Sequence, residues 1–295
     1  MNEITLLNHN LKVVILTYGG IIKELWFDDT NVVLGNKNSE DYLDNPWSLG
    51  ACIGRYAGRL ASEYSIDKKQ YSVASENGIQ LHGGKHGWAK KTWKVTDIYH
   101  GINPHVTLEL FCAEKDCGHP GDVIVTVKYS LHKNNLRIEY WATTTKPTPV
   151  NITNHSYFNL SGAPNLEDHE LLIHANEILE LDENLLPTGK INKVNDTDFD
   201  RNSFRPIGSS RYDDCFVLRK NETINASLRA NVSKIQMDVI TNQPGIVVFN
   251  PKELGGICFE TQKFSNAPNL SNFPETILRP GERYFQKTQF CFSKF

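Results

Sequence analysis

Four short segments gather the residue types that move protons or hold polar ligands: GRYAGRL at 54–60, LHGG at 81–84, NHSYFNLSG at 154–162 and FETQ at 259–262. Each sets an imidazole, guanidinium or carboxylate among aromatic and small neighbours. A buried charge or imidazole needs partners, so Arg59, His82, His155 and Glu260 are either satisfied structural groups or site residues. Metal binding is the first chemistry to test, because His82 and His86 have the spacing that places two ligands on one helical face. Gly83 and Gly84 lie between them. Each costs about 1 kcal/mol in a helix interior, so the pair is expected on a turn, where that spacing brings no ligands together. Acyl transfer lacks its Gly-X-Ser-X-Gly elbow, and no cysteine carries an activating motif. Gly54, Gly58 and Gly83-Gly84 match no nucleotide-binding fingerprint. What remains is a set of histidines, carboxylates and arginine, with aromatics at Tyr56, Trp88, Tyr157 and Phe158. Such groups suit a sugar: planar polar groups meet ring hydroxyls, and aromatic faces cover the apolar C–H patches. A packed β-sandwich core would use the same aromatics.

The elements that must position these residues read as strands. Val123, Val125, Val127, Tyr129 and Leu131 alternate with mostly polar residues, and Leu136, Ile138, Tyr140 and Ala142 repeat the two-residue period. Together they predict an antiparallel hairpin with a four-residue loop over 132–135. The segments 105–112, 235–241, 246–249 and 289–292 are short, rich in β-branched and aromatic residues, and bounded by turn formers. No long stretch carries a helical period. The fold class expected is therefore all-β, a large sandwich or barrel. Pro147 and Pro149 stiffen the midpoint, but the apolar pattern resumes at once, so residues 1–295 are expected to form a single domain.

A chain of 295 residues, 39% hydrophobic and 22% charged, can bury a substantial core, which excludes wholesale disorder. Thirty-one Lys plus Arg against 34 Asp plus Glu give a net charge of −3, so no global positive field draws in nucleic acid or anionic lipid. No apolar run approaches the roughly 20 residues of a membrane-spanning helix. The first residues, Met-Asn-Glu-Ile-Thr, lack the basic and apolar parts of a secretory signal, and cytoplasmic residence is the expectation. The cysteines at 52, 112, 117, 215, 258 and 291 are too sparse for a disulfide scaffold and are expected to be reduced and mostly buried.

Ordered along nearly the whole chain, these motifs resemble the aldose 1-epimerase, or galactose mutarotase, family. The matching pieces are Gly19-Gly20, GRYAGR at 54–59, LHGG, Pro120-Gly121, NHSYFNLSG, and LPTG at 186–189. They continue through Tyr212-Asp213-Asp214-Cys215-Phe216, TNQPG at 241–245, ETQ at 260–262, Asn269, Phe273-Pro274 and LRPGE at 278–282. The resemblance implies a large antiparallel β-sandwich with its site on a concave sheet face, acting on a small aldose without cofactor or metal, as a monomer or homodimer. It implies His155 as general acid, Glu260 as general base and His82 as second active-site histidine. Arg59, Asp213 and Gln243 become ligands of sugar hydroxyls, Asp213 being preferred to Asp214 because it stands three before Phe216. Three departures bear on substrate preference. Gly58 stands where the family usually has Asn, Ser265-Asn266 where it tends to Pro-Asp, and Cys117-Gly118-His119 where an acidic residue, Gly and an aromatic are common.

Exchange of anomers needs a proton delivered to the ring oxygen and one removed from the C1 hydroxyl. From ordinary pKa values of about 6.5 and 4.3, Glu260 is expected ionised and His155 protonated after a modest upward shift. Three alternatives stand beside this reading. A glycosidase would use Asp213 and Glu260, and a sugar-binding module would need no acid or base. A hexose-phosphate epimerase would draw cations such as Arg55, Arg201, Arg205 or Arg211 to the sugar's far end.

Overall fold

A computed structural model describes residues 1–295, apart from the side chains of Lys115 and Cys117. Two antiparallel sheets dominate. The larger has nine strands, in the order Lys94–Tyr99, His105–Cys112, Val123–His132, Asn135–Thr144, Tyr284–Lys294, Ile235–Thr241, Ala226–Ala230, His169–Ile173 and Arg205–Pro206. The smaller has six, in the order Tyr157–Phe158, Ile257–Gln262, Gly245–Phe249, Asp213–Leu218, Ala175–Leu181 and Pro187–Lys193. The predicted alternation holds: Val123, Val125, Val127, Tyr129 and Leu131 are buried, while Ile124 stays exposed on the opposite face. One detail differs. His132 pairs with Asn135, so the hairpin turns over Lys133 and Asn134 alone, with Lys133 in the left-handed region at φ 53°. A two-residue turn of that hand suits the twist of the paired strands. Lysine at that position carries none of the Gly or Asn signal from which such turns are recognised.

The apolar faces of the two sheets meet. Phe158 joins them, its ring 6.1 Å from Phe259 in the six-stranded sheet and 4.8 Å from Phe290 in the nine-stranded one. Burial of each such side chain stabilises the fold by roughly 1.5–3 kcal/mol. A four-stranded sheet, Glu3–Leu7, Leu11–Leu16, Ile22–Phe27 and Thr30–Asn31, adds to the same core, with Phe27 stacked on Phe292 at 5.6 Å. The period of two also sorts the six-stranded sheet. Phe216, Ile246, Val248 and Phe259 point into the core, whereas Asp213, Cys215, Val247, Phe249 and Glu260 line a cavity on the other face.

Three of the aromatics considered as sugar contacts prove to be core: Tyr56, Trp88 and Phe158 are at most 1% exposed and do not line the cavity. Of the cysteines expected to be buried, Cys52, Cys112, Cys215 and Cys258 are so, Cys291 is half-buried, and Cys117 lies outside the described residues. Among the described residues no helix is long and apolar enough to cross a membrane.

Candidate active site

The cavity on the six-stranded sheet holds about 200 Å³. His155 reaches it from a tightly held loop. Its amide donates to the Ala51 carbonyl at 2.9 Å, and its own carbonyl accepts from Gly50 at 3.0 Å. The flanking polar residues serve the same end. Asn154 donates its side-chain amide to the Gly50 carbonyl at 2.9 Å and accepts from the Ser156 amide and hydroxyl at 3.1 and 2.7 Å. The Asn-His-Ser sequence is thus a local clamp that aims one imidazole. That ring lies between two neighbours, with Nε2 3.5 Å from Glu260 Oε1 and Nδ1 3.4 Å from Cys258 Sγ.

Glu260 comes from Ile257–Gln262, the second strand of the sheet, where it stands opposite Val247. Strand alternation puts Cys258 and Glu260 on one face, which is why a single strand supplies both neighbours of His155. His82 approaches from the other side, its ring 5.2 Å from that of His155 and almost perpendicular to it. Its backbone is left-handed at φ 52°, a conformation non-glycine residues adopt only when their surroundings impose it. The constraint is a reciprocal pair: the His82 amide donates to the Gly58 carbonyl at 3.1 Å, and the Gly58 amide donates to His82 Nδ1 at 3.2 Å. With Nδ1 accepting, neutral His82 carries its proton on Nε2. Gly83 continues in the left-handed region at φ 78°, where a Cβ would fall 2.3 Å from the Gly54 carbonyl oxygen. His86 follows on a short 3-10 turn, Gly84–His86, so the His82-His86 spacing does not lie on a helix.

Arg59 and Asp213 form an ion pair on the cavity wall, Nη2 to Oδ2 at 2.9 Å. Asp214 instead accepts from the Asp213 amide at 3.1 Å and does not line the cavity. Gln243 stands apart from the rest. It sits in the turn after Ile235–Thr241, donates Nε2 to Asn242 Oδ1 at 3.0 Å, and is not part of the cavity lining. Five of the six candidate residues therefore converge, and the sixth points at its own neighbour. Trp47, Phe249, Leu181, Leu185 and Pro187 line the cavity without having been singled out as site residues, and Ser265, noted only as a departure from the family pattern, joins them. Phe249 was findable, since alternation within 246–249 pairs it with Val247 on one face. Trp47 carried no signal, being one aromatic in a turn-rich stretch.

Burial reverses the expected charges. Desolvation, reinforced by Asp213 and opposed by Arg59, pushes Glu260 up to about 8. Desolvation pulls His155 down to about 4 against weaker upward pulls from a backbone hydrogen bond and Asp213. The upward shift expected for this imidazole is thus corrected, because a group only 3% exposed loses more hydration than nearby charge restores. His82 is also held well below its usual value by burial, then by His155 and Arg59. Near neutral pH the proton these two groups can exchange rests on Glu260. Such a couple can take a proton from one oxygen and give one to another in the same cavity. The same three side chains each offer a ligand atom within 4.8 Å of the others, a donor set of the kind zinc accepts.

Comparison with known proteins identifies the family. The family model described as Aldose 1-epimerase matches residues 2–291. The galactose mutarotase of Sus scrofa is 34% identical, the match covering 99% of this chain and 94% of that one. The aldose 1-epimerase of Escherichia coli K12 is 33% identical over 88% of this chain and 84% of its own. Among structures, an aldose epimerase homologue from C. elegans superposes with a TM-score of 0.94 at 30% identity, covering 99% of both chains. Galactose 1-epimerase from Lactobacillus acidophilus NCFM gives 0.90 at 27% identity, over 99% of this chain and 94% of that chain. With its sandwich, its buried imidazole and carboxylate and a match over nearly its whole length, the chain belongs to the aldose 1-epimerase family and is an isomerase of the mutarotase type.

Proposed function

We propose that this mutarotase acts on a free aldohexose and that His155 and Glu260 exchange protons with the ring oxygen and the C1 hydroxyl. The observation that carries the reading is the 3.5 Å approach of the two buried groups beside His82. A C1 hydroxyl donating to Glu260 favours its carboxylate form, and the proton passes to His155 Nε2. His155 then protonates the ring oxygen as the C1–O bond breaks, while Glu260 takes the hydroxyl proton and the aldehyde forms. That leaves neutral His155 and protonated Glu260, the protonation states that burial favours. After rotation about C1–C2, Glu260 returns its proton to the carbonyl oxygen, His155 takes one from the former ring oxygen, and the ring closes on the other face. His82 donates through Nε2 to the sugar, Arg59 and Asp213 hold hydroxyls, and Gln243 serves as a further ligand on turning from Asn242.

Free sugar is favoured over a phosphate ester because Arg59 is the Lys or Arg side chain in the described cavity wall, and Asp213 already neutralises it. Arg55 is buried against the carbonyls of Cys112, Pro120 and Gly121, and Arg201 binds Pro206 and Ser210. Arg205 and Arg211 line other surface depressions. Polarimetry of freshly dissolved α-glucose, α-galactose and a hexose 6-phosphate tests the reading. Faster mutarotation of a free hexose is expected, and preference for the phosphate would overturn it.

Residues 1–295 are further proposed to act as one domain, since the main core draws on residues from Ile4 to Phe292. Cytoplasmic residence, a monomer or homodimer, and no nucleic-acid partner complete the proposal. Unpaired buried thiols at Cys52, Cys215 and Cys258 and a net charge of −3 support it. Cell fractionation and analytical ultracentrifugation are its checks.

A further inference from the structure

Gly58 and Ser265 meet in the cavity wall. Gly58 is left-handed at φ 75°, and a Cβ built on it would lie 2.0 Å from Ser265 Oγ and 3.1 Å from Ser265 Cβ. The hydroxyl thus fills the volume that a side chain at 58 would need. At this point of the wall the chain has a bare backbone facing a hydroxyl.

We propose that Ser265 is a sugar-binding residue of this cavity, donating its hydroxyl hydrogen to one oxygen of the substrate; the inference rests on the mutarotase reading for the identity of that substrate. Ser265 is 7% exposed. Its Oγ accepts from Gln262 Nε2 at 3.3 Å, which leaves its own hydrogen to be donated. The adjoining backbone is fixed. The Asn266 amide donates to the Arg59 carbonyl at 3.0 Å, and Asn266 Oδ1 accepts from the Ala61 amide at 3.3 Å. A hydroxyl on so constrained a segment costs little further ordering to bind, and it stands beside Arg59, where a hydroxyl ligand would lie.

The test is a cycle between enzyme and substrate. Loss of one neutral hydrogen bond, in Ser265→Ala, is expected to raise KM for the preferred hexose about two- to ten-fold, with the change falling on KM rather than kcat. Across monodeoxy hexoses the ratio of variant to wild-type KM should persist except for one analogue, the one lacking the oxygen that Ser265 meets, for which it falls to one. In Gly58→Asn/Ser265→Ala the 2.0 Å clash with Oγ is gone, while contacts of 3.1 and 3.2 Å to Cβ of residue 265 and to Gln262 Nε2 remain. Asn tolerates the left-handed φ better than most side chains, so part of the lost affinity should return. An unchanged KM in Ser265→Ala overturns the proposal, as does a uniform ratio over all analogues, which would signal general loosening of the wall. Titration of both proteins with the same sugars, followed by fluorescence of Trp47 in the cavity, separates the two readings. Absence of mutarotation by wild type sinks the function, whereas equal sugar affinities in the two proteins sink the role of Ser265.

Discussion

His155 Nε2 stands 3.5 Å from Glu260 Oε1, and burial drives the two groups in opposite directions, one down to about 4 and the other up to about 8. Each side chain therefore rests in its uncharged form near neutrality. This costs far less than burying an ion pair, and it places the single proton of the couple where a sugar hydroxyl can redirect it.

Glu260→Gln keeps shape and hydrogen bonding but cannot hold the exchanged proton. Turnover should fall by about 10² to 10⁴ while sugar affinity largely persists. Near-wild-type polarimetric rates in this variant would remove Glu260 from the mechanism.

The two histidines should separate kinetically. His155→Asn is expected to lower chiefly kcat, since its interaction strengthens as the ring opens. His82→Asn should raise KM as well, because a neutral Nε2 donor already binds in the ground state. Steady-state constants from pH 5 to 9 decide between these roles, and a His155→Asn variant impaired in KM alone contradicts the acid assignment.

Stability should depend on pH from both sides. The folded pKa of Glu260 is raised, so its contribution is intact below about 4.5 and is lost as pH rises through about 8. His155 is depressed, so its contribution is intact above about 6.5 and is lost as pH falls through about 4. Melting temperatures should show Glu260→Gln blunting the alkaline decline and His155→Asn the acid one. Parallel curves for all three proteins would contradict this.

Asp213→Asn should move the Glu260 limb of the kcat/KM profile toward lower pH, because the Asp213 charge helps keep that proton in place. KM should rise as Arg59 loses its fixed partner. Global stability should change by no more than about 1 kcal/mol, the pair being partly exposed. A profile that does not move would show that Asp213 acts on the sugar alone.

Chelation should leave activity intact although His82, His155 and Glu260 could ligate a cation. Proton exchange between two side chains and two sugar oxygens needs no Lewis acid. Activity lost to a chelator and restored by Zn²⁺ would reverse that conclusion.

Much of this was legible from residue types. Strand alternation is local, so the buried face of 123–131 and the pairing of 123–131 with 136–142 could be read directly. The family resemblance, rather than residue type, preferred Asp213 to Asp214, and the structure puts Asp213 alone of the two on the cavity. Other features depend on packing that no local pattern carries. Tyr56 and Tyr157 are the same residue type in similarly polar motifs, yet only Tyr157 lies on the face turned to the cavity. The direction of the His155 shift depends on desolvation by the folded chain, which the chemistry of its neighbours in sequence does not convey. Gln243 shows the converse: its place in TNQPG is clear, but its rotamer is set by Asn242.

The order of strands in the nine-stranded sheet bears on how the chain is made. Tyr284–Lys294, the strand latest in sequence, lies in the sheet's interior between Asn135–Thr144 and Ile235–Thr241. Until residue 294 has left the ribosome, those two strands present unpaired edges with nothing between them, and edges of that kind recruit other chains. The nascent protein is thus exposed to misassociation from the emergence of Asn135–Thr144, and doubly so after Ile235–Thr241, so demand for a holding chaperone should peak just before Tyr284–Lys294 is added.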